Sequence, residues 1–419
     1  DPYSIVPSKD DIGHGTRLAG IIGGRGINPD LKGAAPDCQF VIVKLSRTTK
    51  VELDAAVIDK TDVPSYTPWS ALLALRYIIA VARELKRPVV VFEPLGSNMG
   101  SHTGNGIVEQ SINNYSAQSG TVVVVPTGNQ GNTDTHTEGI IESSGYIKDI
   151  EIRVGEKQKN LPIEIWVNKP NRVKLSIVSP SGEVIDNLEA KNTNNERIKF
   201  LYEGTEMIVN FTSPELSTGD SLIFIRAYNL KAGIWKFRLT GQSIVDGKYY
   251  AWIPQRELLD SETKFLNSVG YTTLTLSSTS NRAISVAYYN QEDNSVVTES
   301  GRGYTRYGMI KPDIAAGGFN AIVTNPGGGM AVISGSSVAG AVVAGCCALI
   351  LQWAVTDKNY PDIYAEQIKA YIISGAKGRP GDVYPNKEWG YGMLDMKGIF
   401  DRIKDTYTPR KSEDYEEYR

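Results

Sequence analysis

The chain has 419 residues, of which 41% are hydrophobic and 22% are charged, and its formal net charge is −3. This composition is ordinary for a protein with a large core and roughly two or three domains. The small net charge gives no basis for binding nucleic acid or an anionic membrane surface. Three cysteines are too few for a disulfide framework and have no zinc-ligand spacing. We expect them to be small buried residues. We expect no cofactor, and no calcium-loop motif is evident in the sequence, which leaves metal binding open.

The first stretch that suggests chemistry runs from Asp11 to Gly20 and contains His14, one of only three histidines in the chain. Glycine on either side lets the backbone approach its neighbours closely and leaves the imidazole uncrowded. Taken alone, His14 is equally well explained as a structural residue at the start of a helix.

Strand-like and helix-like segments then alternate. Apolar, β-prone runs at 40–45, 88–92 and 120–126 are typical of buried parallel strands. Apolar residues at helical spacing predict helices at 69–83 and 107–118. This alternation predicts a parallel α/β sheet with right-handed crossovers.

In such a sheet, ligands bind beyond the carboxyl ends of the strands. Two loops leave the predicted sheet at those ends, Leu95-Gly96-Ser97 and Pro126-Thr-Gly-Asn-Gln-Gly-Asn132. We therefore expect a binding site between these loops.

The pattern changes over residues 148–254, where seven or eight short runs alternate between apolar and polar residues and are separated by turn sequences. Alternation with a period of two predicts an inserted antiparallel β-sandwich, most simply a jelly roll. No catalytic constellation occurs in this part, so we expect a packing, recognition or regulatory module.

The α/β pattern returns with a predicted strand at 283–289 and ends with an amphipathic helix at 363–373. Between them, Ile333–Leu351 begins with Gly335-Ser336-Ser337 and continues as an unbroken apolar helix pattern. A helix N-terminus offers free N–H groups and partial positive charge, which can stabilise an oxyanion formed when a serine attacks a carbonyl. The simpler alternative is that one serine caps the helix.

Together these stretches resemble the subtilisin-like serine proteases. His14-Gly-Thr-Arg-Leu-Ala-Gly20 is similar to the family's His-Gly-Thr-His-Val-Ala-Gly, and Gly335-Ser-Ser-Val-Ala339 is similar to Gly-Thr-Ser-Met-Ala. The loop at 126–132 resembles Ala-Ala-Gly-Asn-Glu-Gly, and Lys311–Gly318 resembles Lys-Pro-Asp-Val-x-Ala-Pro-Gly. The resemblance covers residues 11–133 and 265–400.

The resemblance implies peptide hydrolysis through an acyl-enzyme. It makes His14 the general base and Ser337 the nucleophile, and it makes the Asn129 side chain and the N–H of Ser337 the donors of the oxyanion hole. The backbone of a protein substrate would pair with Leu95-Gly96-Ser97, with Gly128 on the facing loop. Departures from the family at Pro94, Pro126 and Thr127 would reshape the pocket for the residue that precedes the cut bond.

The catalytic aspartate has no clear position in this sequence. In the subtilisin-like family the order is Asp, His, Ser, and only thirteen residues precede His14 here. Asp10 and Asp11 are loop neighbours of the histidine, whereas the carboxylate must approach from an adjacent strand. We expect the aspartate on an N-terminal fragment or prodomain that stays bound, because loss of its strand would expose a sheet edge. The alternative is a pseudoprotease that binds or signals without cutting.

The N-terminal sequence and the insertion resemble the clostridial Csp-type subtilases, which activate a cortex-lytic zymogen in spores. This resemblance implies limited proteolysis of a zymogen during germination and a spore or secreted location. An esterase of another fold is disfavoured because the serine lacks the Gly-x-Ser-x-Gly elbow. The predicted organisation is a subtilisin-like α/β domain in two parts (1–146 and 264–407), the sandwich at 147–263 and a charged mobile tail at 408–419.

Overall fold

The computed structural model of the protein describes residues 8–189 and 195–407. The predicted charged tail at 408–419 lies outside this described part.

The described residues form seven α-helices and eighteen strands, besides short 3₁₀ and π turns. The helices are α1 (His14–Gly23), α2 (Lys50–Ala55), α3 (Pro68–Glu84), α4 (Ile107–Ser116), α5 (Ser336–Leu351), α6 (Ala365–Ser374) and α7 (Met396–Tyr407). The first nine strands are β1 (Val89–Phe92), β2 (Thr121–Pro126), β3 (His136–Ile140), β4 (Ile147–Val154), β5 (Leu161–Val167), β6 (Arg172–Val178), β7 (Val184–Leu188), β8 (Asn195–Lys199) and β9 (Glu206–Thr212). The remaining strands are β10 (Ser221–Tyr228), β11 (Gly233–Ser243), β12 (Lys248–Trp252), β13 (Lys264–Phe265), β14 (Ile284–Asn290), β15 (Ser295–Val296), β16 (Ile314–Gly317), β17 (Ala321–Thr324) and β18 (Met330–Ile333).

The α/β unit is built on one mixed sheet. Strands β1, β2, β14 and β16 are parallel neighbours in that spatial order, and the short β15 adds an antiparallel pair at the end of β14. Residues 122–125 of β2 are fully buried because apolar clusters cover the sheet on both faces. One cluster packs the sheet against α5, α6 and α7, and the other packs it against α3 and α4. The predicted α/β architecture is therefore observed, with β15 as an antiparallel addition.

Helix α3 shows how local sequence sets the boundaries of these elements. The Thr67 side chain accepts a hydrogen bond from the N–H of Ser70, and Pro68 occupies the first turn, where no N–H donor is needed. Leu75, Ile79 and Ala82 face the sheet and are buried, as their helical spacing predicts.

Helix α5 and the π turn that follows it lie in the protein interior. The segment Ser336–Thr356 is long and apolar enough to cross a membrane by composition alone, but 67% of its most apolar window is buried inside the protein. It therefore serves as a core helix, as expected from its polar start.

The strand predicted at 40–45 is wrong. Residues 39–49 are assigned no regular structure, and Phe40 and Ile42 are 44% and 70% exposed. The physical reason is that no strand in the described part of the chain lies beside this segment to satisfy its backbone groups. Strand β1 likewise pairs with only one of the described strands, β2, so no described strand covers its other edge.

The segment between β2 and β14 folds into two antiparallel sheets. One has six strands in the order β3-β12-β5-β10-β9-β8, and the other has five in the order β13-β4-β11-β6-β7. Inward side chains of both sheets, including Trp235, Phe237 and Ile225, belong to one buried apolar cluster. The alternating sequence pattern thus gives two sheets packed face to face.

Two buried contacts join the antiparallel unit to the α/β unit. The Arg306 guanidinium pairs with the Asp220 carboxylate, and both side chains are almost completely buried. Trp252 of β12 stacks between the imidazoles of His102 and His136, with ring centroids 4.2 and 4.4 Å apart. Burial lowers the pKa of His102 to about 3. The His102 ring in this stack is therefore neutral at physiological pH. These contacts hold the antiparallel unit against the α/β unit.

Candidate active site

The predicted base and nucleophile each stand at the N-terminus of a helix. His14 is the first residue of α1, behind Gly13 with φ +87°. Ser336 and Ser337 open α5, behind Gly335 with φ +149°. Neither helix start has a side-chain capping hydrogen bond, so the alternative in which a serine serves as the N-cap is excluded.

Helices α1 and α5 pack against each other although more than 300 residues of sequence separate them. A Cβ on Gly345 would lie 2.6 Å from Ala34 Cβ and 3.1 Å from the carbonyl oxygen of Ile22. Only glycine allows this approach. Ile22 and Gly345 each lie eight residues after His14 and Ser337, respectively, or about 12 Å along each helix. Because this contact lies the same distance from both helix starts, we expect the two N-termini to lie near each other. Contact between the imidazole and the Ser337 hydroxyl stays a prediction.

The two adjacent serines have different roles. Ser336 is 1% exposed, and its hydroxyl donates to Asn129 Oδ1 at 3.1 Å and accepts from the N–H of Gly128 at 3.0 Å. Ser337 is half-buried and lines a surface cleft. The first hydroxyl is therefore committed to holding the neighbouring loop, and the second is the one a substrate can reach.

Ser336 also orients the Asn129 amide. Oδ1 of Asn129 accepts from both the backbone N–H and the hydroxyl of Ser336, at 3.0 and 3.1 Å. With its oxygen held by two donors, the amide has its Nδ2 group left to donate. Asn129 is exposed toward the cleft. A Cβ on Gly335 would lie 3.2 Å from Nδ2, so the glycine keeps the space beside this donor open.

Burial, more than the charges around it, favours a neutral imidazole at His14. Burial lowers the pKa of His14, Asp10 opposes that shift and Arg17 adds to it. The Arg17 guanidinium is itself held by Asn325 Oδ1, at 2.8 and 3.1 Å. A neutral ring is the form that can accept a proton from a serine.

Neither nearby aspartate orients the His14 ring through a hydrogen bond. The Asp10 carboxylate accepts from the N–H groups of Ile12, Gly13 and Thr16 and from the Thr16 hydroxyl. These bonds outweigh burial and lower the pKa of Asp10 to about 2. Asp11 pairs with Lys44 and Arg47. Among residues 8–189 and 195–407, no carboxylate is hydrogen-bonded to His14.

A cleft of about 160 Å³ opens at the carboxyl ends of β1 and β2. It brings together most of the predicted site residues, and His14 and Ser97 are not part of its lining. Its walls are formed by Pro94, Leu95, Gly96, Pro126, Gly128, Asn129, Gln130, Gln255, Glu257, Thr275 and Ser337. The Ser97 carbonyl instead accepts from the N–H of Leu276.

Sequence reasoning missed the wall that follows β12. The Gln255 side chain donates to the carbonyl of Gly96, and the Glu257 carboxylate accepts from Gln130 Nε2 at 3.0 Å. Gln130 Oε1 in turn accepts from the N–H of Arg256 at 2.9 Å. The chain leaving the antiparallel unit thus forms part of the cleft, and no motif in the sequence marks these residues.

The Lys311-Pro-Asp segment lies at the amino ends of β14 and β16 rather than in the cleft. Lys311 is buried and pairs with Asp313 at 2.7 Å, and Asp313 also accepts from the N–H of Ser285. Burial lowers the pKa of Lys311 to about 7. This pair ties β14 to β16 and makes no contact with the cleft residues.

Comparisons with known proteins agree with this geometry. A model of the subtilase family matches residues 265–392. The membrane-bound transcription factor site-1 proteases of Mus musculus and Homo sapiens are 32% identical over 136 residues, which are 31% of this chain. That match spans 12% of the length of these relatives.

A solved structure of the Clostridium perfringens CspB protease is similar along nearly the whole chain. It is 29% identical, covers 98% of this chain and 84% of its own, and superposes with a TM-score of 0.87. Because the match spans both the α/β unit and the antiparallel unit, the two proteins share one architecture. These matches support a subtilisin-like serine protease that is similar to the Csp-type members of the subtilase family.

Proposed function

We propose that this protein is a serine endopeptidase in which Ser337 is the nucleophile, His14 the general base, and Asn129 with the N–H of Ser337 the oxyanion hole. The observation that carries the proposal is the Ser336–Asn129 contact. It holds the amide oxygen with two donors and leaves Nδ2 free to donate in the cleft that Asn129 and Ser337 both line.

The chemistry follows from these positions. Neutral His14 takes the proton of Ser337 as the hydroxyl oxygen attacks the scissile carbonyl. The carbonyl oxygen becomes an anion, which Asn129 Nδ2 and the first free N–H of α5 stabilise. His14 then passes the proton to the departing amine, and water repeats the sequence on the acyl-enzyme. In subtilisin, removing the equivalent amide donor costs about 10²–10³ in kcat, and we expect the same range here.

We propose that the aspartate that orients His14 comes from a strand inserted between β1 and residues 40–45. Three observations support this. No described carboxylate is hydrogen-bonded to His14, β1 pairs with only one described strand, and the apolar run at 40–45 belongs to no described strand and is partly exposed. An added strand would pair with β1 and cover Phe40 and Ile42, which otherwise cost free energy in water.

We propose further that the fragment carrying this strand docks on α3. Trp69, Leu73 and Tyr77 are 63%, 64% and 56% exposed, and their spacing of four residues places them on one face of the helix. An apolar stripe of this kind is typical of an interface rather than of a free surface. A bound N-terminal fragment or prodomain would cover both the unpaired edge of β1 and the exposed apolar stripe on α3.

The proposed substrate is a protein zymogen activated by limited proteolysis during spore germination, as the Csp-type resemblance implies. We propose that the antiparallel unit is a jelly-roll sandwich that restricts access to the cleft, because residues after β12 form one of its walls. A cleft narrowed in this way favours cleavage of a few exposed loops of the substrate over general digestion.

The test is to incubate the full natural protein with an extract of dormant spores and to map new protein N-termini by mass spectrometry. A Ser337→Ala variant is the matched control. A few new termini that require Ser337 support the proposal. Identical termini with both proteins, or indiscriminate digestion, contradict it.

A further inference from the structure

We propose that Thr275 closes the floor of the primary substrate pocket, so that the enzyme cuts after residues with short side chains such as alanine and serine. This inference rests on the proposed peptidase function and adds the substrate class. Thr275 belongs to no sequence motif and lies far from both the histidine and the serine in the chain.

The pocket lies between two glycine-bearing walls. Gly96 follows β1 and Gly128 follows β2, and both line the cleft beside Ser337. When a peptide is bound with its carbonyl at Ser337 and Asn129, the side chain before the cut bond extends between these walls. Glycine on both walls would ordinarily leave a slot wide enough for a flat or long side chain.

Thr275 fills that slot. A Cβ added to Gly96 would lie 2.4 Å from Thr275 Cβ and 2.4 Å from its Cγ2, and a Cβ added to Gly128 would also lie 2.4 Å from that Cγ2. The threonine methyl therefore touches the backbone of both walls at once. A substrate side chain cannot pass the point where this methyl lies.

The position of Thr275 is fixed by its own hydrogen bonds to the wall after β2 and by a bond from the next residue to the wall after β1. Its N–H donates to the carbonyl of Thr127 at 2.9 Å, and its hydroxyl donates to the carbonyl of Pro126 at 3.1 Å. The next residue, Leu276, donates from its N–H to the carbonyl of Ser97 at 2.9 Å. Thr275 is 5% exposed, and a β-branched side chain held in this way has one rotamer available. The floor therefore cannot swing aside for a larger substrate.

The consequence is a steep dependence on the size of one residue. A single methylene in a fitted pocket changes kcat/KM by about 10–200-fold. Phenylalanine or leucine exceeds alanine by more than one carbon, so we expect their kcat/KM to be lower by about 100-fold or more.

The experiment uses the full natural protein and peptides that are identical except at the residue before the cut bond, which is alanine, serine, leucine or phenylalanine. Two variants separate the methyl from the hydroxyl. Thr275→Ser removes the methyl and keeps the hydrogen bond to Pro126, whereas Thr275→Val keeps the shape and removes that bond. Thermal unfolding of each variant establishes that the fold is retained.

We expect the wild type to prefer alanine and serine. Thr275→Ser should raise kcat/KM for leucine and phenylalanine by about 10-fold or more, and Thr275→Val should keep the wild-type preference. A wild type that cuts well after phenylalanine, or a folded Thr275→Ser variant with unchanged preference, would overturn the role of Thr275 and leave the peptidase assignment standing. Failure to cut any of the peptides would overturn both.

Discussion

Replacing Ser336 by alanine tests whether this residue positions the oxyanion hole without taking part in the chemistry. The change removes two of the three hydrogen bonds that join Ser336 to the 128–129 loop and leaves the one from its backbone N–H to Asn129 Oδ1. Two net hydrogen bonds of about 0.5–1.5 kcal/mol each give roughly 1–3 kcal/mol. Since tenfold in rate corresponds to about 1.4 kcal/mol, full loss of both bonds in the transition state would lower kcat by about 5- to 150-fold.

We expect kcat of Ser336→Ala to fall by about 10-fold, because one donor to Asn129 Oδ1 remains and the amide is only partly released. KM should change by less than about twofold, since the oxyanion forms only in the transition state. Steady-state kinetics on a chromogenic peptide measures both values.

The matched control is Ser336→Thr, which keeps the hydroxyl and places the residue of the family motif at this position. It should restore kcat to within about threefold of the wild type. Two results would refute the reasoning: an unchanged kcat in Ser336→Ala, or a loss of activity as complete as in Ser337→Ala. The latter would make Ser336 the nucleophile.

Three further predictions concern charge. Arg306→Met should lower the free energy of unfolding by about 3–5 kcal/mol, because it leaves the Asp220 carboxylate buried without its partner; urea unfolding measures this. Burial raises the pKa of Glu109 from 4.5 to about 7, so the folded protein holds a proton that the unfolded chain has already lost between these pH values. The free energy of unfolding of the wild type should therefore fall as pH rises through that window. Glu109→Gln should be more stable than the wild type by up to about 3 kcal/mol at pH 8 and equal to it at pH 4. Burial lowers the pKa of His14 from its usual 6.5, so the acidic limb of kcat/KM should have its midpoint below pH 6.5 and rise as the base loses its proton.

Each of these has a result that contradicts it. For Arg306, the double variant Arg306→Met with Asp220→Leu should recover most of the lost stability, and equal loss in single and double variants would mean that packing, not charge, is responsible. For Glu109, a stability difference that does not depend on pH would remove titration as its cause. For His14, activity that is flat between about pH 5 and pH 8 would exclude it as the base.

The sequence predicted the elements whose pattern is local. Helix α3 and strand β2 are found within one or two residues of the predicted limits, because helical spacing and a continuous β-branched run depend only on the chain itself. The run at 40–45 has an equally clear strand pattern but forms no strand, because pairing requires a neighbour that the described chain does not supply. A strand prediction is in effect a prediction about two segments.

The site was predictable only where a motif marks it. His14, Asn129 and Ser337 were predicted as site residues from short stretches with glycine in fixed positions, and the structure puts the last two in one cleft. Gln255 and Thr275 line the same cleft but come from segments with no recognisable pattern. Their role depends on tertiary contacts with Gly96 and Gly128. The difference between the buried, hydrogen-bonded Ser336 and the accessible Ser337 likewise follows only from the structure.

The most direct test of the central claim is to label the full natural protein with a fluorophosphonate probe and to locate the adduct by tandem mass spectrometry. The account predicts a single adduct on Ser337 that is lost in Ser337→Ala, strongly slowed in His14→Gln, and retained in Ser336→Thr. An adduct on Ser336, or labelling of Ser337 at the same rate with and without His14, would contradict it.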